Sequence, residues 1–228
     1  VQTLWLRIFR TPVTFVSFHR GSNLSSSPFL IPLTRLKCFS HHIGKGILAV
    51  DESTKTIGKR LQGIGIENTE ENRQAYRGLL FSTDGLGQYI SGAILYEETL
   101  FQSSIDGVPF VKLLKDNGIF PGIKVDTGLQ PLPGGSEIET WCTGLDGLQE
   151  RAAAYYKQGA RFAKWRAVLQ ITADGCPTET ALYENAWGLA RYARACQESG
   201  LVPIVGRRVS SKVPFCSDSV AACGIETR

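Results

Sequence analysis

Residues 162–166 read Phe-Ala-Lys-Trp-Arg, an apolar run that carries a cation at every second position. A strand points successive side chains to opposite faces, so Lys164 and Arg166 share one face while Ala163 and Trp165 take the other. The run Gly-Ile-Lys-Val-Asp at 122–126 repeats the arrangement, with Lys124 and Asp126 on one face. A single lysine in a strand is more often a solvated edge residue whose stem lies along apolar surface. That reading explains poorly why such charges recur in successive strands with acids beside them. Buried singly, each would cost several kcal/mol of desolvation, so they must meet one another or an anionic ligand. A polyanion answers the excess of cations.

Working outward, further short apolar runs predict strands at Gly46–Val50, Tyr89–Tyr96 and Leu201–Val205, with the two above at Gly122–Val125 and Phe162–Leu169. Amphipathic stretches between them predict helices over Thr69–Phe81, Pro109–Asp116, Gly147–Gln158 and Glu179–Ser199. Asn68 followed by Glu71, and Asp146 followed by Gln149, have the spacing of capping boxes. Gly118, Gly159 and Gly200 stand where helices end. Strands alternating with helices require a parallel sheet with crossover connections. A doubly wound sheet and a β/α barrel both satisfy that order. No G-x-G-x-x-G follows the first strand, which disfavours a dinucleotide-binding unit. Asp51, Lys124 and the pair Lys164 and Arg166 fall within or at the end of three different strand runs, and barrels gather their chemistry at the carboxyl ends of strands. The expectation is an α/β chain forming part of a (β/α)₈ TIM barrel.

The stretch Ala-Val-Asp-Glu-Ser-Thr at 49–54, with Lys59 and Arg60 after it, suits both proton transfer and phosphate binding. It equally suits a helix-capping run with solvated cations, and the residues alone leave both open.

Composition narrows the classes. The 228 residues are 43% hydrophobic and 20% charged, which is not the composition of a disordered chain. A net charge of +4 is too mild for a nucleic-acid binder. No apolar run approaches the ~20 residues of a membrane span. Six scattered cysteines without a C-x-x-C pair point to a reducing compartment rather than a disulfide framework or zinc site. The only histidines, His19, His41 and His42, lack metal-ligand spacing. No metal and no cofactor are expected.

The two ends read differently. Residues 1–43 hold no acid, four arginines and the serine cluster Ser25–Ser27, the composition of an organelle transit peptide or of a non-native leader. Residues 44–205 carry the barrel pattern. Residues 206–228 lose it and read as a linker, a frayed tail or a spliced end.

Several of these stretches together resemble class I fructose-1,6-bisphosphate aldolase. They are Gly-Lys-Gly-Ile-Leu-Ala-Val-Asp-Glu-Ser (44–53), Glu-Asn-Thr-Glu-Glu-Asn-Arg (67–73), the runs 122–126 and 163–166, Gly-Leu-Asp-Gly-Leu (144–148), Arg-Tyr-Ala-Arg (191–194) and Leu-Val-Pro-Ile-Val (201–205). Residues 86–95, Thr-Trp-Cys at 140–142 and Ala-Trp-Gly-Leu-Ala at 186–190 are most similar to the plastid form of plants and algae. The resemblance implies roughly the first five βα units of eight, a sugar-phosphate substrate, usually a homotetramer, and cleavage of fructose 1,6-bisphosphate to dihydroxyacetone phosphate and glyceraldehyde 3-phosphate through a lysine Schiff base. By motif, Asp51 would assist proton transfer and Lys164 would keep the imine-forming amine deprotonated, since a nearby cation lowers a lysine pKa. Lys124 and Arg166 would contact the substrate and its 6-phosphate, with Ser53 and Thr56 near that phosphate. Arg60 and Arg73 resemble further substrate-contacting positions.

The family's Val-Pro-Ile-Val runs on into Glu-Pro-Glu, whereas Gly206 follows Val205 here, and no Leu-Leu-Lys-Pro stretch occurs. The expectation is therefore a member truncated before its acid/base glutamate and Schiff-base lysine, and inactive as written. The alternatives are a non-catalytic anion-binding or subunit-interaction remnant, and a different lyase whose nucleophile is Lys124 or Lys164. The compartment implied is the plastid, otherwise the cytoplasm.

Overall fold

A computed structural model describes residues 44–211 of the chain; the leader expectation for residues 1–43 lies outside them. Five strands form one parallel sheet, β1 (Gly46–Val50), β2 (Ile90–Leu95), β3 (Phe120–Lys124), β6 (Phe162–Ile171) and β7 (Val202–Ser211), in the order β1-β2-β3-β6-β7. A small antiparallel hairpin, β4 (Gly128–Pro131) with β5 (Thr140–Thr143), is inserted after β3. The helices are α1 (Thr54–Gln62), α2 (Glu70–Phe81), α3 (Leu86–Tyr89), α4 (Glu97–Phe101), α5 (Phe110–Asp116), α6 (Leu148–Gln158) and α7 (Glu179–Glu198). Sequential strands are neighbours and every pair in the sheet is parallel, so the chain is a partial β/α barrel, as expected.

The predicted strands and long helices are all present within a few residues. Differences have local causes. Helix α1 escaped prediction because Gly58 interrupts its helical pattern and Gly63 ends it; a Cβ at position 58 would stand 2.5 Å from Asn68 Nδ2. The cap of α2 is Thr69, one residue after the predicted Asn68, and its hydroxyl accepts from Asn72 N. Asn68 is engaged otherwise, donating its amide to Thr54 O. Helix α6 starts at Gly147 without a side-chain cap, so the Asp146 capping box does not form. Strand β7, predicted to end at Val205, continues to Ser211, because its pairing with β6 runs on from Arg166↔Gly206 to Ile171↔Ser211.

The sheet is strongly curved. Neighbouring strands lie about 4.8 Å apart, so β1 and β6, three steps removed, would be separated by about 14 Å in a flat sheet. Yet Lys164 Nζ of β6 lies 2.6 Å from Asp51 Oδ2, just past β1. Only a sheet rolled towards closure lets those side chains touch across its concave face.

The convex face supplies the core. Val50, Leu95, Ile123, Ala163 and Trp165 pack under Phe81, Phe110, Leu114, Tyr155 and Tyr192 of the helices. Trp165 stacks on Tyr192 with centroids 5.3 Å apart, and the Tyr192 hydroxyl donates to Ala163 O at 2.6 Å. Each such fully buried large side chain contributes about 2–3 kcal/mol of apolar burial. The concave face takes the alternate residues, and β6 is buried at Trp165, Ala167 and Leu169 but half-buried at Lys164, Arg166 and Val168.

Candidate functional site

The mouth of the concave face is built by register. Val50 pairs with Leu95, Leu95 with Ile123, and Ile123 with Ala163, so the next row brings Asp51, Tyr96, Lys124 and Lys164 to one level. Lys124 and Lys164 are themselves register partners. Two like charges side by side must be compensated, and the structure compensates each with its own carboxylate. Lys164 donates to Asp51, and Lys124 Nζ stands 3.6 Å from Asp126 Oδ1. Arg166 NH2 lies 3.8 Å from the same oxygen. Lys124 also sits 5.9 Å over the Tyr96 ring, a favourable cation–π placement. The predicted residues Asp51, Lys124, Lys164 and Arg166 are thus brought together.

Ser53 and Thr56 occupy the first turn of α1, their hydroxyls 3.2 Å apart. Ser53 is the N-cap but makes no side-chain cap bond, so its hydroxyl and the first backbone N–H groups of the helix are available to an anion. These two residues follow Asp51 directly and lie on the same strand-to-helix turn.

Arg60 and Arg73 are engaged elsewhere. Arg60 is exposed and bonds Glu52 and Tyr76. Arg73 holds Glu98 with two donors, Nε at 2.9 Å and NH2 at 2.6 Å, and gives a third to Asn68. Neither contacts the Lys164–Asp51 or the Lys124–Asp126 pair. A matching carboxylate opposite each guanidinium explains the difference.

Two further residues shape the site. Arg77 of α2 is 1% exposed; its NH2 donates to Glu52 O at 3.0 Å and to Glu52 Oε2 at 3.2 Å, and its NH1 to Thr99 Oγ1 at 2.9 Å. It therefore clasps the residue next to Asp51 by both backbone and side chain. The available signal was position: Arg73, Arg77 and Phe81 recur at helical spacing on the buried face of α2.

Glu139 is the second. It accepts from Ser136 N at 2.9 Å, Thr178 N at 2.5 Å and the Thr178 hydroxyl at 3.0 Å, tying the β4–β5 hairpin to the cap of α7. Burial by itself raises its carboxyl, but the backbone and hydroxyl donors outweigh that and leave it below the ordinary glutamate range. A depressed folded-state value means stability present above the unfolded value of about 4.3 and lost as pH falls through the folded one. Glu139→Gln is expected to cost about 1–3 kcal/mol at pH 7. In urea melts the gap between variant and parent should narrow below about pH 4; a gap independent of pH would refute the assignment.

The hairpin also presses Cys142 against Asp126. Burial, then the Asp126 charge, pushes the Cys142 thiol up to about 12, so it stays protonated at neutral pH. An open depression of about 700 Å³ lies elsewhere, between the hairpin and α7. Its lining includes Trp141, Tyr183 and Trp187 but no lysine or arginine, so it cannot compensate a phosphate. Among the described residues no helix is long and apolar enough to cross a membrane.

Comparison with known proteins follows the geometry. The family model "Fructose-bisphosphate aldolase class-I" matches residues 36–212. The chain is 63% identical over 162 residues to fructose-bisphosphate aldolase 3, chloroplastic, of Arabidopsis thaliana, covering 71% of this chain and 41% of that protein. It is 57% identical over 186 residues to the fructose-bisphosphate aldolase of Plasmodium falciparum, covering 81% of this chain and 49% of that one. A solved structure of the Plasmodium falciparum aldolase, in complex with TRAP and a small-molecule inhibitor, superposes with a TM-score of 0.74 at 55% identity, over 79% of this chain and 51% of that chain. The chain spans somewhat less than half the length of these curated relatives.

Proposed function

This chain belongs to the class I fructose-bisphosphate aldolase family, and on that premise we propose that its mouth grips a phosphate end of fructose 1,6-bisphosphate. The family reaction is cleavage to dihydroxyacetone phosphate and glyceraldehyde 3-phosphate through a lysine Schiff base. The observation that carries the reading is the contact across the concave face between Lys164 and Asp51, with Lys124 and Arg166 in adjoining positions.

In this reading Lys124 and Arg166 bind the phosphate and adjoining hydroxyls, and Ser53, Thr56 and the first N–H groups of α1 complete the phosphate seat. Arg60 and Arg73 serve the same substrate from the rim once it displaces part of their present pairing. Asp51 moves protons at the substrate carbonyl carbon and hydroxyls. Lys164 donates a hydrogen bond to Asp51 and supplies the positive field that keeps a neighbouring amine neutral and nucleophilic. Within these 228 residues Gly206 stands where the family has glutamate, and no Leu-Leu-Lys-Pro stretch occurs. In this reading residues 44–211 bind substrate, and the parts of the family that cleave it lie outside the described residues. The relatives named chloroplastic support a plastid location, and the family's homotetramer is the assembly to which the intact fold would contribute.

Calorimetry with fructose 1,6-bisphosphate, beside a coupled assay for its cleavage, tests this. Binding is expected, weakened about tenfold by Lys124→Ala or Arg166→Ala, each a loss of about 1.4 kcal/mol. No cleavage is expected, and borohydride with substrate should label no lysine. Turnover near 1–10³ s⁻¹, or a trapped Lys124 or Lys164, would sink the non-cleaving reading; no binding would sink the site.

A further inference from the structure

Asp126 lies two residues past the end of β3, at the level of Arg166. Its side chain is fully buried, and neither carboxylate oxygen has a nitrogen or hydroxyl donor, the Cys142 thiol being the group set against it. A buried anion in that state carries a desolvation penalty that only nearby opposite charge can offset. The cations are Lys124 at 3.6 Å, two residues earlier on the same strand, and Arg166 at 3.8 Å, on the neighbouring β6. Both separations exceed hydrogen-bonding distance, so the attraction takes no N–H donor from either cation. The Cys142 thiol, kept protonated by burial, covers the carboxylate from the hairpin without adding a second negative charge.

We propose that Asp126 is a positioning residue, which fixes Lys124 and Arg166 by charge alone and leaves their donors to an anionic ligand. The inference rests on the phosphate-gripping reading above and names the group that pre-organises it. Preorganisation lowers the cost of ordering two long side chains when the ligand arrives. It also gives a result that counting charges does not. Asp126→Asn raises the net positive charge of the mouth by one, so simple attraction predicts tighter phosphate binding. Loss of positioning predicts weaker binding.

The experiment compares the unsubstituted chain with Asp126→Asn in two arms, after circular dichroism shows that both are folded. The first arm is calorimetric titration with inorganic phosphate. The second is the acetylation rate of Lys124 by mass spectrometry, referred to Lys157, an exposed residue of α6. Expected are a roughly tenfold weaker phosphate affinity, equivalent to about 1.4 kcal/mol, and a several-fold faster acetylation of Lys124 as it is released. Unchanged Lys124 labelling, or phosphate binding as tight as or tighter than the parent's, overturns the inference. If the unsubstituted chain binds no phosphate while Lys124 labelling still rises, the ligand reading fails and Asp126 stands as the holder of the two cations. Should Asp126→Asn not fold, Arg166→Gln serves instead. Asp126 then acts on Lys124 undivided, so Lys124 labelling should slow, and labelling that is unchanged or faster overturns the inference.

Discussion

Arg77→Leu should unfold at markedly lower urea concentration than the parent, with a loss of about 3 kcal/mol. Breaking a buried ion pair by removing one member costs roughly 3–5 kcal/mol, because the partner charge is left in low dielectric. Here Glu52, whose side chain is 13% exposed, keeps its contact with Arg60, which places the expectation at the lower end of that range. The Glu52 carbonyl and the Thr99 hydroxyl would lose their donors as well. Against a total stability of about 5–15 kcal/mol, such a loss is large. Arg77→Lys retains the charge but not the fork that reaches backbone and carboxylate together, and should fall between the two. The damage should extend to the mouth, since Glu52 adjoins Asp51. A loss below about 1 kcal/mol for Arg77→Leu would mean that Arg77 does not hold the turn after β1.

The arginine shows where the sequence was readable and where it was not. The strands and the four long helices were legible because apolar runs and helical periodicity are local properties. The cluster of Asp51, Lys124, Lys164 and Arg166 was legible because a parallel sheet converts strand position into spatial level. What a charged side chain pairs with depends on elements distant along the chain. Arg73 was read as a substrate contact, and its pairing with Glu98, 25 residues later, is announced by no local pattern. Arg77 drew no reading at all from its neighbours in sequence, because Glu52 and Thr99, which it holds, lie more than 20 residues away. Helix α1 and the hairpin were missed for a related reason: each is short, glycine-marked and held by partners beyond its own length.

In the proposed reading, the two carboxylates of the mouth differ in task because their surroundings differ. Asp51 is joined to Lys164 by a true hydrogen bond and remains 11% exposed, within reach of a ligand. Asp126 is fully buried, 3.6 Å from Lys124 and 3.8 Å from Arg166. Proton transfer needs contact with the reacting atoms, so only the first can take part directly.

The layer below the two lysines carries the other large prediction. Gly122 is the register partner of Phe162, and each lies two residues before a lysine of the mouth. A Cβ at position 122 would stand 2.2 Å from two carbons of the Phe162 ring. The ring is fully buried, so it can yield only by displacing its neighbours or by pushing β3 and β6 apart. Overpacking of this kind costs about 1–3 kcal/mol, and here the strain falls on the two strands that carry Lys124, Lys164 and Arg166. Gly122→Ala is therefore expected to lose about 2–3 kcal/mol in urea melts and to weaken phosphate binding in the protein that remains folded. Phe162→Leu removes the ring carbons that clash, so the double substitution should be more stable than the sum of the single effects requires, by at least about 1 kcal/mol. Additive losses would place the strain elsewhere than this contact. A Gly122→Ala protein with parental stability would show that the two strands have room to separate, and that the spacing of the lysines above them is not set by this glycine.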